Sequence, residues 1–353
     1  MAVITIIGAG MMGAGIAWPA ADNHHEVRLV GTHLDEEIIQ SIQQSRVHPK
    51  HKREVPQGVT AYRHTQLEQA MDGADLIVCG ISSFGVDWFA ENAGPFLEPE
   101  VPVLAITKGL YARENGDLQL LPDRLNEILP ADKRGRISLN AVTGPCIAQE
   151  LAARRQTGVY FCGREPALLY RLRELFATPY YHISISTDFT GAEACAAMKN
   201  AYAICINFPI GVYEKYGPDG IAHMYNPQAA LFAQSMREIR RVVDLLGGGY
   251  QALIELAGAG DLYVTVFGGR NARLGKMLGQ NYSYAEAREN LAGETLEGVE
   301  IMTRVCQALP KLEARGLARV SDFPLLTHLY QVVYEGARVD IPWDRFYEDI
   351  LQR

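Results

Sequence analysis

The feature that most constrains this chain lies at its start. Ile4-Thr5-Ile6-Ile7, a short apolar, β-rich run, leads into Gly8-Ala9-Gly10-Met11-Met12-Gly13 and then into a helix-like segment. The glycines have GxGxxG spacing between a strand and a helix, the context that gives this motif its meaning. The first glycine permits a tight turn. The second lets a pyrophosphate approach the backbone, and the third lets helix and strand pack closely, with the helix N-terminus facing the phosphates. The competing reading is a tight glycine turn without a ligand. The expectation is a dinucleotide site on Gly8, Gly10, Met11, Met12 and Gly13.

The next strand, Val27-Arg28-Leu29-Val30, ends in Gly31-Thr32-His33, with Asp35 a little beyond. Strict NAD enzymes usually place an acid at that strand end for the ribose hydroxyls. Thr32 would not repel a 2′-phosphate, and no Arg stands there to attract one, so either NAD or NADP fits. Further strands are expected at Leu76–Cys79, Val103–Ile106, Ile137–Val142, Val159–Cys162 and His182–Ile185. Continuous apolar strands alternating with helices predict a parallel sheet covered on both faces.

After Asp188 the pattern becomes helical, as in Ala229–Leu246, Tyr284–Leu291 and Leu296–Leu309, with glycine-rich interruptions at Gly247–Gly249 and around Gly258–Gly269. The fold class expected is an α/β Rossmann-type N-terminal domain (1–187) plus an all-α C-terminal domain (188–353). The length of 353 residues suits two domains. The net charge of −8 argues against broad nucleic-acid or membrane-surface binding. The basic stretch His48–Arg53 is short and reads as a solvated loop. No stretch approaches the ~20 apolar residues of a membrane span. No secretory signal is visible. Six scattered cysteines lack metal-ligand spacing, so buried thiols in a reducing cytoplasm are expected and no metal is.

Three polar clusters interrupt apolar surroundings. Thr107-Lys108-Gly109 closes the Val103–Ile106 strand, at the sheet edge where ligands bind; an exposed loop lysine is the alternative. Lys199-Asn200 sits in a helix of Ala, Cys and Met that reads as buried all round. A lysine there needs a partner or a ligand unless it snorkels to the surface. The third cluster runs from Gly258 through Asp261 and Thr265 to Arg270-Asn271. Arg and Asn together suit a phosphate, and a helix–loop–helix turn with a capping acid is the alternative.

Taken together, these clusters resemble the NAD(P)-dependent glycerol-3-phosphate dehydrogenase family. The resemblance adds Thr143-Gly144-Pro145-Cys146-Ile147-Ala148-Gln149-Glu150-Leu151, Asp188-Phe189-Thr190-Gly191-Ala192-Glu193 before Lys199-Asn200, Asn226 with Ala229-Ala230-Leu231, and Glu297-Gly298. It runs in order across roughly residues 5–300. It implies that Lys199 is the proton donor and acceptor, with Lys108 and Asp261 in the reacting set. It places Lys108, Gly144, Cys146, Asn200, Thr265, Arg270 and Asn271 along the substrate. Thr32, Lys108, Ala148, Arg270 and Glu297 join the glycine turn along NAD or NADP. It also implies a homodimer and a small phosphorylated substrate; no nucleic acid and no membrane span are expected on the charge and hydropathy already described.

The sequence departs from the family pattern at Cys146, where Ser, Thr or Asn is usual, and at Ile81, Met12 and Ser235. The polar, Pro/Gly-rich stretch Phe208–Tyr225 looks longer than the usual connection. A related dehydrogenase of another small phosphorylated or phosphonylated hydroxy compound is therefore an alternative. So is a dinucleotide sensor without turnover, although such a protein has little need for Lys108, Lys199 and Asp261 together.

Overall fold

Contacts divide the chain of the computed structural model into two units, Met1–Lys108 with Leu120–Glu193 and Gly109–Gln119 with Ala194–Arg353. Residues 1–217 and 223–347 are described. In chain order the first unit contains β1 (Val3–Ile7), α1 (Met11–Asp22), β2 (Glu26–Val30), α2 (Glu36–Ser45), β3 (Val47–His48), β4 (Arg53–Glu54) and β5 (Val59–Tyr62). It continues with α3 (Leu67–Met71), β6 (Leu76–Cys79), α4 (Val86–Asn92) and β7 (Val103–Ala105). A short hairpin, β8 (Leu110–Ala112) and β9 (Leu118–Leu120), then leaves for the second unit before α5 (Leu121–Ile128) returns. The remaining elements are β10 (Leu139–Thr143), α6 (Ala148–Ala152), β11 (Thr157–Cys162), α7 (Pro166–Phe176) and β12 (Tyr181–Ser186).

Eight strands form one sheet in the order β12-β11-β10-β7-β6-β1-β2-β5. The stretch from β5 to β10 has the doubly wound 3-2-1-4-5-6 order, with β1 at the switch point. Ile4, Ile6, Leu29, Val78 and Leu104 are 0% exposed, as expected of strands covered on both faces. The expected parallel sheet needs one correction, because β10 and β11 pair antiparallel. A return to the starting edge needs a helix running the length of the sheet, and α6 has only 5 residues. The chain therefore comes back antiparallel, and β12 follows parallel to β11.

The second unit is helical: α8 (Phe189–Ile206, whose first turns belong to the first unit), α9 (Phe208–Tyr216), α10 (Tyr225–Leu246), α11 (Tyr250–Ile254), α12 (Asp261–Val266), α13 (Gly269–Gly279), α14 (Tyr284–Asn290), α15 (Glu297–Ala314) and α16 (Pro324–Tyr334). The β8–β9 hairpin is tied to α15, where Lys311 Nζ donates to the Glu114 carbonyl at 2.7 Å. Gly247, with φ +76°, ends α10 as a left-handed cap. Of the glycine-rich region around Gly258–Gly269, Leu256–Gly260 forms a π-turn that runs into α12.

The Phe208–Tyr225 stretch is not all connection, since α9 occupies its first half; residues 218–222 lie outside the described residues. The glycine within α9 has a packing role: a Cβ on Gly211 would stand against the Lys276 carbonyl of α13. Among the described residues, no helix is long and apolar enough to cross a membrane.

Candidate active site

In the first unit, β1, β6, β7 and β10 run parallel, and their C-terminal ends share one sheet edge. Gly8 leaves β1 with φ +109°, and a Cβ there would lie 2.6 Å from the Gly80 carbonyl at the end of β6. A Cβ on Gly13 would lie 2.0 Å from the Gly8 carbonyl, so α1 starts tight against the turn. Gly10 is the opposite case, with nothing within 4 Å of its added Cβ. It N-caps α1 with no side-chain cap and no acid in the first turn. Open space in front of bare amides at a helix N-terminus fits a dinucleotide pyrophosphate. Met11 and Met12 follow, half-buried.

The Asp35 carboxylate does not face outward from this edge. Its Oδ2 accepts from the Ala9 amide at 3.2 Å, the Thr32 amide at 2.9 Å and the Thr32 hydroxyl at 2.8 Å. It ties the glycine turn to the end of β2, and Thr32 spends its hydroxyl on that tie.

At the end of β7, the Thr107 hydroxyl donates to the Ile81 carbonyl at 2.9 Å. Lys108 Nζ reaches the Gly144 carbonyl at 3.4 Å, and Gly144 leaves β10 with φ +113°. Cys146 is half-buried, and Ala148 opens α6 at 7% exposure. Thus Gly8, Gly10, Gly13, Lys108, Gly144 and the start of α6 belong to one edge, where doubly wound sheets hold ligands.

The solvated-loop reading of His48–Arg53 needs correction. His48 is fully buried and His51 is 5% exposed. His48 Nε2 donates to the Ala9 carbonyl at 2.9 Å, and its Nδ1 accepts from the His51 amide at 3.1 Å. His51 Nε2 donates to the Met11 carbonyl at 2.8 Å. Two imidazoles thus brace the glycine turn from behind. Burial holds both pKa values below the usual range, that of His51 at about 4, so both stay neutral donors. A charge-rich hexapeptide gives no sign of this, because the carbonyls that bury the rings lie about forty positions away.

In the second unit, α8 is buried throughout from Gly191 to Ile206, as its composition predicts. Lys199 projects from it with its side chain 11% exposed and is paired and hydrogen-bonded to the Asp261 carboxylate, 1% exposed. The π-turn delivers Asp261 to this spot at the first position of α12. The Thr265 hydroxyl bonds back to the Asp261 carbonyl at 2.6 Å.

Glu297, at the start of α15, collects two further expected residues. Its Oε2 accepts from Arg270 at 2.8 Å and from Asn200 at 3.4 Å. The next residue must be glycine, since a Cβ on Gly298 would stand 2.5 Å from the Asn200 carbonyl and 2.8 Å from Asn271 Oδ1. Asn271 is 5% exposed, and its Oδ1 is buried with no hydrogen-bond partner among the described residues. Four helices thereby gather Lys199, Asn200, Asp261, Thr265, Arg270, Asn271 and Glu297.

One residue at the edge of the first unit carried no expected role. Glu193 on α8 is 0% exposed, and neither carboxyl oxygen has a hydrogen-bond partner among the described residues. Its signal was the one that singled out Lys199, an ionisable side chain in a helix of Ala and Cys. Of the departures from the family pattern, Ser235 is accounted for: its buried hydroxyl bonds back to the Leu231 carbonyl at 2.6 Å.

Comparison with known proteins agrees with this arrangement. The family model described as NAD-dependent glycerol-3-phosphate dehydrogenase N-terminus matches residues 3–167, and its C-terminal counterpart matches residues 188–343. An NADP(+)-dependent glycerol-3-phosphate dehydrogenase of Archaeoglobus fulgidus is 33% identical over 96% of this chain and 97% of its own length. A glycerol-3-phosphate dehydrogenase [NAD(P)+] of Bacillus pumilus is 27% identical over 96% and 92%. The crystal structure of glycerol-3-phosphate dehydrogenase from Coxiella burnetii shares the fold with a TM-score of 0.79 at 24% identity, covering 97% of each chain. The chain belongs to the NAD(P)-dependent glycerol-3-phosphate dehydrogenase family of oxidoreductases.

Proposed function

We propose that this protein interconverts dihydroxyacetone phosphate and sn-glycerol 3-phosphate with NAD or NADP, using Lys199 as general acid and base. The observation that carries the reading is the buried Lys199–Asp261 pair, a cation on a buried, mostly apolar helix paired with a carboxylate. A buried ion pair is weak support for stability but fits a group that must hold and release a proton.

A bound nicotinamide supplies or takes up the hydride. Lys199 Nζ protonates the carbonyl oxygen as that oxygen gains alkoxide charge, and in reverse it accepts the hydroxyl proton. Asp261 fixes the ammonium in place and favours its charged state. Arg270 and Asn271 hold the phosphate, and that remote binding energy orients the carbonyl. Lys108 adds a cation at the edge of the first unit, beside Gly144 and Cys146. Gly8, Gly10, Met11, Met12 and Gly13 would hold the dinucleotide, with Thr32, Ala148, Arg270 and Glu297 as further contacts. The reading includes a homodimer in the cytoplasm, with all six cysteines as thiols.

The test is NAD(P)H oxidation with dihydroxyacetone phosphate. Lys199→Ala should lose turnover by a factor of about 10²–10⁴, the usual worth of a general acid. Arg270→Ala should raise KM. Dinucleotide binding without turnover in the parent chain would refute the assignment.

A further inference from the structure

His48 and His51 are buried titratable groups with no place in the mechanism above, yet both reach the backbone of the glycine turn. His48 Nε2 donates to the Ala9 carbonyl at 2.9 Å, and His51 Nε2 donates to the Met11 carbonyl at 2.8 Å. The other backbone polar group of Ala9, its amide, donates to Asp35 Oδ2 at 3.2 Å. All three side chains come from the segment that follows β2.

A trans peptide points its carbonyl and its N–H in opposite directions. Fixing the Ala9 carbonyl therefore fixes the Gly10 amide, and fixing the Met11 carbonyl fixes the Met12 amide. Each amide faces away from the imidazole that holds its peptide plane. Both belong to the start of α1, where no side chain caps the helix and a Cβ on Gly10 would meet nothing within 4 Å. Amides so placed are the donors that a pyrophosphate needs.

The rings are themselves held. His48 Nδ1 accepts from the His51 amide at 3.1 Å, so it bears no proton and the ring proton sits on Nε2. The two rings meet edge to face with centroids 4.6 Å apart, and the His51 ring packs on Trp18 of α1 at 5.2 Å. The Lys52 amide closes the turn onto the His48 carbonyl at 2.8 Å, and the Arg46 guanidinium donates to the Pro56 carbonyl at 2.6 Å. The β3–β4 hairpin is thus a braced support for the glycine turn.

We propose that His48 and His51 are positioning residues for the dinucleotide, holding two peptide planes of the glycine turn so that the Gly10 and Met12 amides are set for the pyrophosphate before it arrives. The proposal rests on the reading above that this turn holds NAD or NADP. Without the imidazole donors the same amides sample other directions. Apparent affinity then falls with the fraction of molecules in which the turn is competent.

The experiment measures binding, not turnover. NADH and NADPH are titrated, by fluorescence and without substrate, into the parent chain and into His51→Leu, His51→Gln, His48→Leu and His48→Gln, well below each Tm. Leucine fills the space without a donor, whereas glutamine puts an amide N–H₂ where Nε2 stood. Each leucine variant should raise Kd about tenfold, and each glutamine variant should recover most of that loss. NMR of nitrogen-labelled histidine in the parent chain should show both rings neutral, with the proton on Nε2.

Leucine variants that lower Tm yet keep the parental Kd overturn the proposal, because the rings then only fill space, and the dinucleotide reading stands. Glutamine variants that fold and bind as weakly as the leucine ones overturn it too, since the donor is then irrelevant. Where a leucine variant does not fold, the parent spectrum decides: a proton on His48 Nδ1, or a bare Nε2 on either ring, removes the donors and refutes the proposal. A parent chain that binds neither dinucleotide defeats the reading of the turn and the proposal with it.

Discussion

Removing the charge of Asp261 while keeping its shape, by Asp261→Asn, takes away the carboxylate paired with Lys199 on α8. With the lysine side chain 11% exposed and the aspartate 1%, water cannot replace the lost partner. Breaking one side of a buried pair costs roughly 3–5 kcal/mol. The chain has one escape, which caps the loss. A lysine of ordinary pKa near 10.4 can shed its proton at pH 7 for about 4.6 kcal/mol. Lys199→Met takes the cation from Asp261 instead, and protonating an ordinary aspartate at pH 7 caps that loss at about 4.2 kcal/mol. The double variant Lys199→Met, Asp261→Asn removes both charges of the pair and should cost no more than either single change.

Each single variant should therefore lose about 4–6 °C in Tm if the whole chain unfolds together, with a coupling of at least about 3 kcal/mol between them. Calorimetry and urea unfolding of the four proteins measure it. Activity gives a second readout. Without Asp261 the ammonium is disfavoured, so the alkaline limb of ketone reduction should move to lower pH in Asp261→Asn. Single losses that add within about 0.5 kcal/mol would refute the reasoning, because independent sites behave that way.

The glycine turn predicts a contrast between two conservative changes. Gly13→Ala puts a methyl 2.0 Å from the Gly8 carbonyl and should lower Tm together with dinucleotide affinity. Gly10→Ala meets no protein atom within 4 Å, so it should leave Tm unchanged and weaken dinucleotide binding tenfold or more, read by fluorescence titration. Glu238 is fully buried and accepts from Tyr202, Gln234 and the amides of Leu325 and Leu326. Glu238→Gln turns an amide N–H₂ against two of those donors and should cost roughly 1–3 kcal/mol. Burial raises the Glu238 pKa from 4.5 to about 7, so the folded state holds the proton longer than the unfolded chain. The parent's stability should fall as pH rises through that window, and the slope should flatten in Glu238→Gln, measured by urea unfolding at several pH values.

What could be read from the chain beforehand was what depends on local order. The glycine turn is fixed by three glycines within six residues, and β6 emerges at its expected bounds because its four residues are all buried. The strand β5 went unseen because Val59-Thr60-Ala61-Tyr62 lies at the sheet edge and buries only Val59. The β8–β9 hairpin was invisible for another reason: its anchors, Arg304, Lys311 and Arg315, lie nearly two hundred residues downstream. Direction was harder still, since nothing in Thr157–Cys162 reveals that it runs against β10. Among the site residues, Lys199 and Asp261 stood out as charges in apolar or glycine-rich surroundings. That Asp35 turns its carboxylate inward onto Ala9 and Thr32 could not be inferred from its position after β2.

The two buried glutamates show why residue type and burial together still fall short of function. Glu193 and Glu238 are both 0% exposed, and both are pushed upward in pKa by burial. Glu238 meets four donors, two of them amides at the start of α16, so its oxygens act as a bolt between α8, α10 and α16. Such an acid is explained by the packing it holds together. Among the described residues Glu193 meets none, and a fold gains nothing from an unsatisfied carboxyl that leucine or glutamine could replace. The same test applies to the cations. Lys199 is paired with Asp261 and Arg270 with Glu297, and each carboxylate holds its cation in place before substrate arrives.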